Sequence, residues 1–162
     1  MEIRRISPEE TWSLRQAVLW PDKDISCIKI AADHQGVHYG LCVDERLVSV
    51  VSAFYDRSAR EMQFRKFATL QAEQGKGYGS ALLSHLLTTA KEQGVRLIWC
   101  NARKSKTAFY RKFGLQENGP YLVKDGMEFV MMSWKLEEEE EVSQLCRLES
   151  DQSASSAESG KK

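Results

Sequence analysis

Apolar and polar positions change period several times along the chain, and each change marks an element. Glu2 to Ile6 looks like a short opening strand. Ser7-Pro8-Glu9-Glu10 follows as a helix start: Ser7 caps, Pro8 suits the first helical position, and Glu10 completes a capping box. Trp12, Leu14, Val18 and Leu19 give that helix its apolar positions, and Pro21 ends it, so the helix spans Pro8 to Leu19. Pro21 to Gly36 is weakly patterned and reads as a short helix or a loop. Val37 to Val43 and Arg46 to Phe54 are rich in β-branched and aromatic residues and form a hairpin across Asp44-Glu45. A polar loop, Tyr55 to Arg60, leads to a strand with an uneven pattern over Glu61 to Leu70.

Gly75 to Gly79 interrupts that strand. From Tyr78 the period becomes helical, with Leu82, Leu83, Leu86, Leu87 and Ala90 on one face and Gly94 as the C-terminal cap. Val95 to Cys100 has little alternation, as expected of a strand buried on both faces. A short helix over Ser105 to Phe113 is ended by Gly114. Leu115 to Val123 and Met127 to Leu136 close the pattern as a strand pair around the Lys124-Asp125-Gly126 turn. This order predicts a mixed sheet with helices on both faces, in which the strands flanking the Tyr78 helix run parallel.

Beyond Leu136 the composition changes. Five consecutive glutamates precede a Ser-, Glu- and Ala-rich stretch. The reading is one domain over 1–136 and an acidic tail over 137–162. Glu137 to Gln144 briefly prolongs a helix, and Ser150 to Lys162 is too poor in apolar residues to fold. The net charge of zero over 162 residues conceals −5 after Leu136 and +5 before it. A mildly basic folded part suits an anionic ligand, but it lacks the dense basic stripe of a nucleic-acid binder. Either the tail is a solvated extension, or it covers the basic face and competes with a ligand there.

No apolar run approaches the ~20 residues that span a bilayer, and the first ten residues show no secretory signal, so neither a membrane role nor export is expected. Cys27, Cys42, Cys100 and Cys146 are scattered and form no CxxC pair, which suits free thiols in the cytoplasm. His34 and His38 are four apart, but in a loop and strand context without an acidic or cysteine partner they do not make a metal site. His85 falls mid-helix and reads as a surface residue, while Trp12, Trp20, Trp99 and Trp134 read as core or pocket walls.

The informative stretch runs from Phe67 to Leu83. A strand enters a glycine-rich turn, Gln74-Gly75-Lys76-Gly77-Tyr78-Gly79-Ser80, which opens a long amphipathic helix. Glycines let the backbone bend tightly and approach a ligand, and the first helical turn offers unpaired N–H groups with partial positive charge. Together with Lys76 these form a site for phosphate or pyrophosphate. A ligand-free glycine turn is the alternative. Neither a Walker A loop nor the GxGxxG dinucleotide fingerprint is present.

Gln74-Gly75-Lys76-Gly77-Tyr78-Gly79 resembles the central motif of the GCN5-related N-acetyltransferases, the GNAT superfamily. Ala108-Phe109-Tyr110-Arg111-Lys112-Phe113-Gly114-Leu115 is similar to the family's second hallmark, and the resemblance covers Met1 to Leu136. It implies a GNAT fold: a mixed, mostly antiparallel sheet of about six to seven strands whose parallel fourth and fifth strands splay apart. It implies acetyl-coenzyme A as donor and a primary amine as acceptor, joined directly in a ternary complex. Pyrophosphate would lie on the amides of Gly75 to Ser80, and pantetheine along Phe67, Ala68, Thr69 and Leu70. Tyr110 would protonate the departing thiolate, the other reading being simple packing beside Phe109. The amide of Phe67 or Ala68 would face the oxyanion. Gln63 stands where some members carry a glutamate base. Glu61, on the same strand face, is the candidate base, or else a solvated charge. Arg103 replaces an asparagine common in the family, with Asn101 nearby as a further cofactor contact.

The family's acceptors approach between the first helix and second strand. Trp20, Asp22, Asp24 and Asp33 there suggest a wall for a cationic amine, against the plainer reading of a polar loop. Cys100 is expected to be too buried for a nucleophile. The rival reading is a non-catalytic acyl-coenzyme A sensor, which Gln63 leaves open, and a second is another nucleotide binder using the same turn. A homodimer is a further expectation of the resemblance, since many relatives dimerise.

Overall fold

The computed structural model describes residues 1–136. The acidic run, the expected helical extension at Glu137 to Gln144 and Cys146 lie outside the described residues. The chain folds as β1 (Glu2–Ile6), α1 (Pro8–Leu19), β2 (Val37–Val43), β3 (Arg46–Asp56), β4 (Glu61–Thr69), α2 (Tyr78–Glu92), β5 (Leu97–Arg103), α3 (Thr107–Arg111), β6 (Gln116–Glu117), β7 (Leu122–Lys124) and β8 (Met127–Lys135). The capping box forms as expected: the Glu10 amide donates to the Ser7 hydroxyl at 3.3 Å, and the Ser7 amide donates to the Glu10 carboxylate at 2.7 Å. Asp44 and Glu45 both take positive φ, 49° and 64°, as a two-residue hairpin loop matched to strand twist requires. The weakly patterned Pro21–Gly36 stretch holds two single turns of 3-10 helix, Ile25–Cys27 and Asp33–Gln35.

The eight strands form one sheet in the order β1-β2-β3-β4-β5-β8-β6, with β7 also on β8. Only β4 and β5 pair in parallel. The strand expected over Leu115 to Val123 is broken at Gly119-Pro120, where Gly119 takes φ +118° and Pro120 has no N–H to donate. The helix expected from Ser105 to Phe113 divides into a 3-10 turn, Lys104–Lys106, and the short α3. No described helix is long and apolar enough to cross a membrane.

The sheet separates two packing layers. On one face the α2 residues Leu82, Leu83, Leu86, Leu87 and Ala90 meet Leu41, Val51, Met62, Phe64 and Ile98. Each fully buried Leu, Val, Ile, Met or Phe side chain contributes roughly 1.5–3 kcal/mol through loss of water contact. On the other face α1 supplies Leu14, which packs with Ile6, Val50 and Ala68. The α1 face is also polar inside. Arg15 is fully buried and forms paired bonds to Asp33 at 2.9 and 3.0 Å, then reaches the Ser52 hydroxyl at 2.7 Å. His38 Nδ1 joins the same hydroxyl at 2.6 Å. His38 is therefore a buried network residue, and His85 is exposed, its ring edge-on to Tyr39.

β5 departs from expectation in its burial. Ile98, Cys100 and Ala102 are buried, but Asn101 is exposed and Leu97, Trp99 and Arg103 are half-buried. A strand beside a gap has one face without a neighbouring layer, so it alternates.

Candidate active site

β4 and β5 pair only at Glu61–Leu97, Met62–Ile98 and Gln63–Trp99. Beyond Gln63 the two strands diverge, and the β5-facing edge of β4 has no strand partner. β4 also carries a bulge there. Arg65 pairs with Ser52 and Ala68 with Val50, so Lys66 and Phe67 together oppose Val51, and Lys66 takes φ +53°. The extra residue shifts the side-chain phase. Phe64 and Phe67 both face the α2 and α3 layer, while Ala68 turns to α1. The uneven pattern read from the sequence is this bulge.

The glycine turn sits at the open end of the same strand. Gly75 and Gly77 take φ +79° and +84°, and a Cβ on either would meet nothing within 4 Å, so conformation requires glycine there and the space above stays clear. Gly77 is the N-cap of α2 and provides no side-chain cap, which leaves the first amides of a 15-residue helix unpaired. At Gly79 the reason is contact: a Cβ would stand 3.2 Å from Thr69 Oγ1 and 3.3 Å from Phe67 Cζ. Gln74 ties the turn to the strand end, its Nε2 donating to the Thr69 carbonyl at 3.0 Å. Lys76 is paired with Glu73 at 2.9 Å, and Arg46 approaches the same carboxylate at 3.7 Å. Tyr78 and Ser80, in the first turn of α2, are half-buried. Phe67, Ala68 and Thr69 form the last part of β4, and the Leu70 amide continues the ladder to Val48 at 2.9 Å.

α3 brings Tyr110 against the gap. Its ring lies 5.8 Å from Phe64, 6.4 Å from Phe67 and 5.3 Å from Phe109, centroid to centroid. Arg15 Nε and Tyr55 Oη are the sealed, unpartnered side-chain atoms among the described residues, and the Tyr110 hydroxyl is not one of them. Burial, with a smaller push from Cys100, raises the Tyr110 phenol above the ordinary tyrosine range, so it stays protonated at neutral pH. The Cys100 thiol, on the buried face of β5, is pushed by burial up to about 12.

Not every expected residue joins this group. Glu61 begins β4 at its paired end, three residues before Phe64, roughly 10 Å along the strand. Glu61, Gln63 and Arg65 alternate with Met62 and Phe64 and so face α1, away from the Tyr110 ring. Asn101 and Arg103 likewise occupy the α1-side face of β5.

The acidic wall is a correction. Asp33 is buried in the ion pair with Arg15, and it also accepts from the Trp12 indole at 3.1 Å and the Ile30 amide at 3.0 Å. It cannot meet an acceptor, because its oxygens are already engaged by donors inside the fold. Asp24 caps a 3-10 turn through the Ser26 amide at 3.5 Å, and Asp22 is exposed. Trp20 already has cations of the chain on its ring, Lys23 at 4.3 Å and Arg103 at 5.9 Å.

The sequence profile described as an acetyltransferase (GNAT) domain matches residues 23–136. The chain belongs to the GNAT family. Within it, the chain is 33% identical over 127 residues to YitI, an uncharacterized N-acetyltransferase of Bacillus subtilis, covering 74% of this chain and 85% of YitI. Among solved structures it resembles an IAA acetyltransferase from Bacillus cereus (TM-score 0.68, 21% identity, 83% of this chain and 99% of that one). A Bacillus subtilis acetyltransferase in complex with CoA is similar in fold (TM-score 0.65, 19% identity, 83% and 98% of the chains). This GNAT chain is thus an acetyl-coenzyme A–dependent acyltransferase. Its residues fit that donor: uncapped α2 amides for the diphosphate, clear space over Gly75 and Gly77, and the free edge of β4 for an extended arm.

Proposed function

We propose that this GNAT enzyme acetylates a primary amine by direct attack in a ternary complex. The observation that carries the reading is the divergence of β4 and β5 after Gln63, with the uncapped α2 terminus at its open end and Tyr110 beside Phe64 and Phe67. Acetyl-coenzyme A, when bound, supplies an activated thioester carbonyl; the chain's own groups bind, orient and move protons. Amides from Gly75 to Ser80 hold the diphosphate, with Gln74 fixing the turn and Lys76 adding charge after exchanging Glu73 for phosphate. Backbone groups of Phe67 to Leu70 align the arm. The bulge takes an amide at Phe67 or Ala68 out of register, aiming a donor at the carbonyl oxygen. Tyr110, kept protonated by burial, delivers its proton to the leaving sulfur. Glu61 receives the amine's proton through water, given its distance along β4. Asn101 lines the opposite wall of the gap. Direct transfer is favoured over an acyl-enzyme because a thiol pushed up to about 12 holds almost no thiolate at neutral pH.

Calorimetry with CoA, followed by thiol-release assays on a panel of amines, tests this. Saturable CoA uptake with amine-dependent thiol release is expected. Uptake without release from any amine class would favour the acyl-coenzyme A sensor instead.

A further inference from the structure

The α1 side of the gap carries a charge pattern that the reaction described so far leaves unused. Four cations from three strands lie near one another there: Arg65 and Lys66 at the β4 bulge, Arg103 at the end of β5, and Lys124 at the end of β7. None of the four forms an ion pair with a described carboxylate. Arg65 lies over the Phe54 ring at 6.0 Å and Arg103 over Trp20 at 5.9 Å. A cation–π contact of this kind uses the face of the guanidinium charge and leaves its N–H groups able to donate. The neighbouring Asp125 pairs with Lys23, in the segment after α1, at 3.9 Å and not with any of the four.

Lys66 occupies the centre of this arrangement. It is half-buried, holds a left-handed backbone at the bulge, and is kept below the ordinary lysine range first by burial and then by the like charges of Arg65, Arg15, Lys124 and Arg103. Of those, Arg15 is neutralised by Asp33; the rest are not. Gathering unpaired cations around a half-buried ammonium is unfavourable unless an anion completes the group.

Resting on the acetyltransferase reading, we propose that the acceptor is a small amine bearing a carboxylate or phosphate at its other end, held by Lys66, Arg65 and Arg103 on the α1 side of the β4–β5 gap. This is the opposite charge preference to that suggested by Asp22, Asp24 and Asp33 in the sequence. It also bears on how the acceptor loses its proton. A positive surround lowers the pKa of an incoming ammonium, so more of the acceptor arrives as the neutral nucleophile. A chain with Gln63 level with the gap's entrance, and with Glu61 reached only through water, gains most from that effect.

The test uses the full chain first saturated with CoA, so that the glycine turn is filled. Glutarate and inorganic phosphate are then titrated separately by calorimetry, which distinguishes the two anionic groups. Saturable binding of at least one is expected, weakened about tenfold in Lys66→Gln and in Arg103→Gln, the loss of one charge-assisted contact. The CoA titration of each variant reports an intact donor site. Thiol-release assays with aminopentanoate, aminobutyl phosphate, cadaverine and pentylamine follow, with the acidic amines expected to be preferred. A chain that takes up CoA but neither anion, anion binding that survives both substitutions, or preference for cadaverine overturns this proposal alone. A chain that takes up no CoA overturns the acetyltransferase reading with it.

Discussion

The two sides of the β4–β5 gap are built from different materials. The α2 and α3 side is an apolar wall of Phe64, Phe67, Phe109 and Tyr110, backed by the leucines of α2. The α1 side is polar throughout, with Arg15, Asp33, Ser52 and His38 bonded beneath a rim of Arg65, Lys66 and Arg103. The apolar side presents one proton donor and a path for an extended arm, needs that any amine acceptor shares. The polar side presents a particular charge arrangement. On the proposed reading, donor handling falls to a packed, general surface, and selectivity to a hydrogen-bonded, individual one.

The sharpest way to break this comparison is to remove the ion pair beneath the polar side. Arg15→Ala leaves Asp33 buried without its partner, and breaking such a pair costs about 3–5 kcal/mol. Urea denaturation is expected to show that loss as a lowered midpoint. Replacing both residues together, as Arg15→Met with Asp33→Leu, should cost far less than the two single changes combined. Equal or larger loss in the double variant would mean that the pair does more than compensate its own charges.

On the apolar side, Tyr110→Phe keeps the ring contacts with Phe64 and Phe67 and removes only the hydroxyl. Turnover should fall on the order of a hundredfold, the lower end of what a positioned acid contributes. CoA affinity measured by calorimetry should stay unchanged, because the diphosphate contacts proposed above come from the amides of Gly75 to Ser80 and none from the Tyr110 hydroxyl. Unchanged turnover would return Tyr110 to a packing role. Gly77→Ala sharpens the same contrast at the turn. A side chain at φ +84° costs roughly 1–2 kcal/mol, which lets the free turn relax to another conformation and must be repaid on binding, so CoA affinity should fall by about tenfold with little effect on the α1 side.

The two sides also differ in how much the sequence disclosed. The glycine turn, the α2 face and the Phe109-Tyr110 helix are contiguous in the chain, so local pattern was enough to find them. The splayed parallel pair followed from strand, helix, strand order together with family resemblance. The polar side is assembled from α1, β2, β3, β4, β5 and β7, and no local pattern joins Arg15 to Asp33 or Lys66 to Lys124. Asp33 looked like a surface acid because its neighbours Asp22 and Asp24 sit in the same polar loop; only tertiary packing buries it. An unpaired count of basic over acidic residues in the folded part was the one available signal of the cationic rim, and it gave no location. The break in the strand expected over Leu115 to Val123 has a more local cause: Gly119-Pro120 interrupts the ladder between flanking apolar residues that otherwise read as one strand.

The smallest predicted effect separates the two sides by pH. Burial alone would raise the Asp33 carboxyl, but bonds from Arg15, the Ile30 amide and the Trp12 indole hold it below the ordinary carboxylate range. Its folded pKa is therefore lower than its unfolded value of about 3.9. The stabilisation linked to this shift is fully present above that unfolded value and is lost as pH falls through the folded one. Asp33→Asn removes this carboxyl, so the fall of stability as the pH drops below about 4 should be shallower than in the parent chain, although the variant starts from a lower level. The slope is the deciding quantity. Asp56 and Glu10 are also lowered, through the Ala59 and Ser7 amides respectively, and they remain in both proteins, so their contribution to the slope cancels in the difference. Tyr110 carries no proton change in that range, and Tyr110→Phe should leave the acid limb of the stability curve in place. If Asp33→Asn and Tyr110→Phe gave the same acid slope, Asp33 would take up its proton alike in the folded and unfolded chain, and the bonded network beneath the polar side would not be holding its charge.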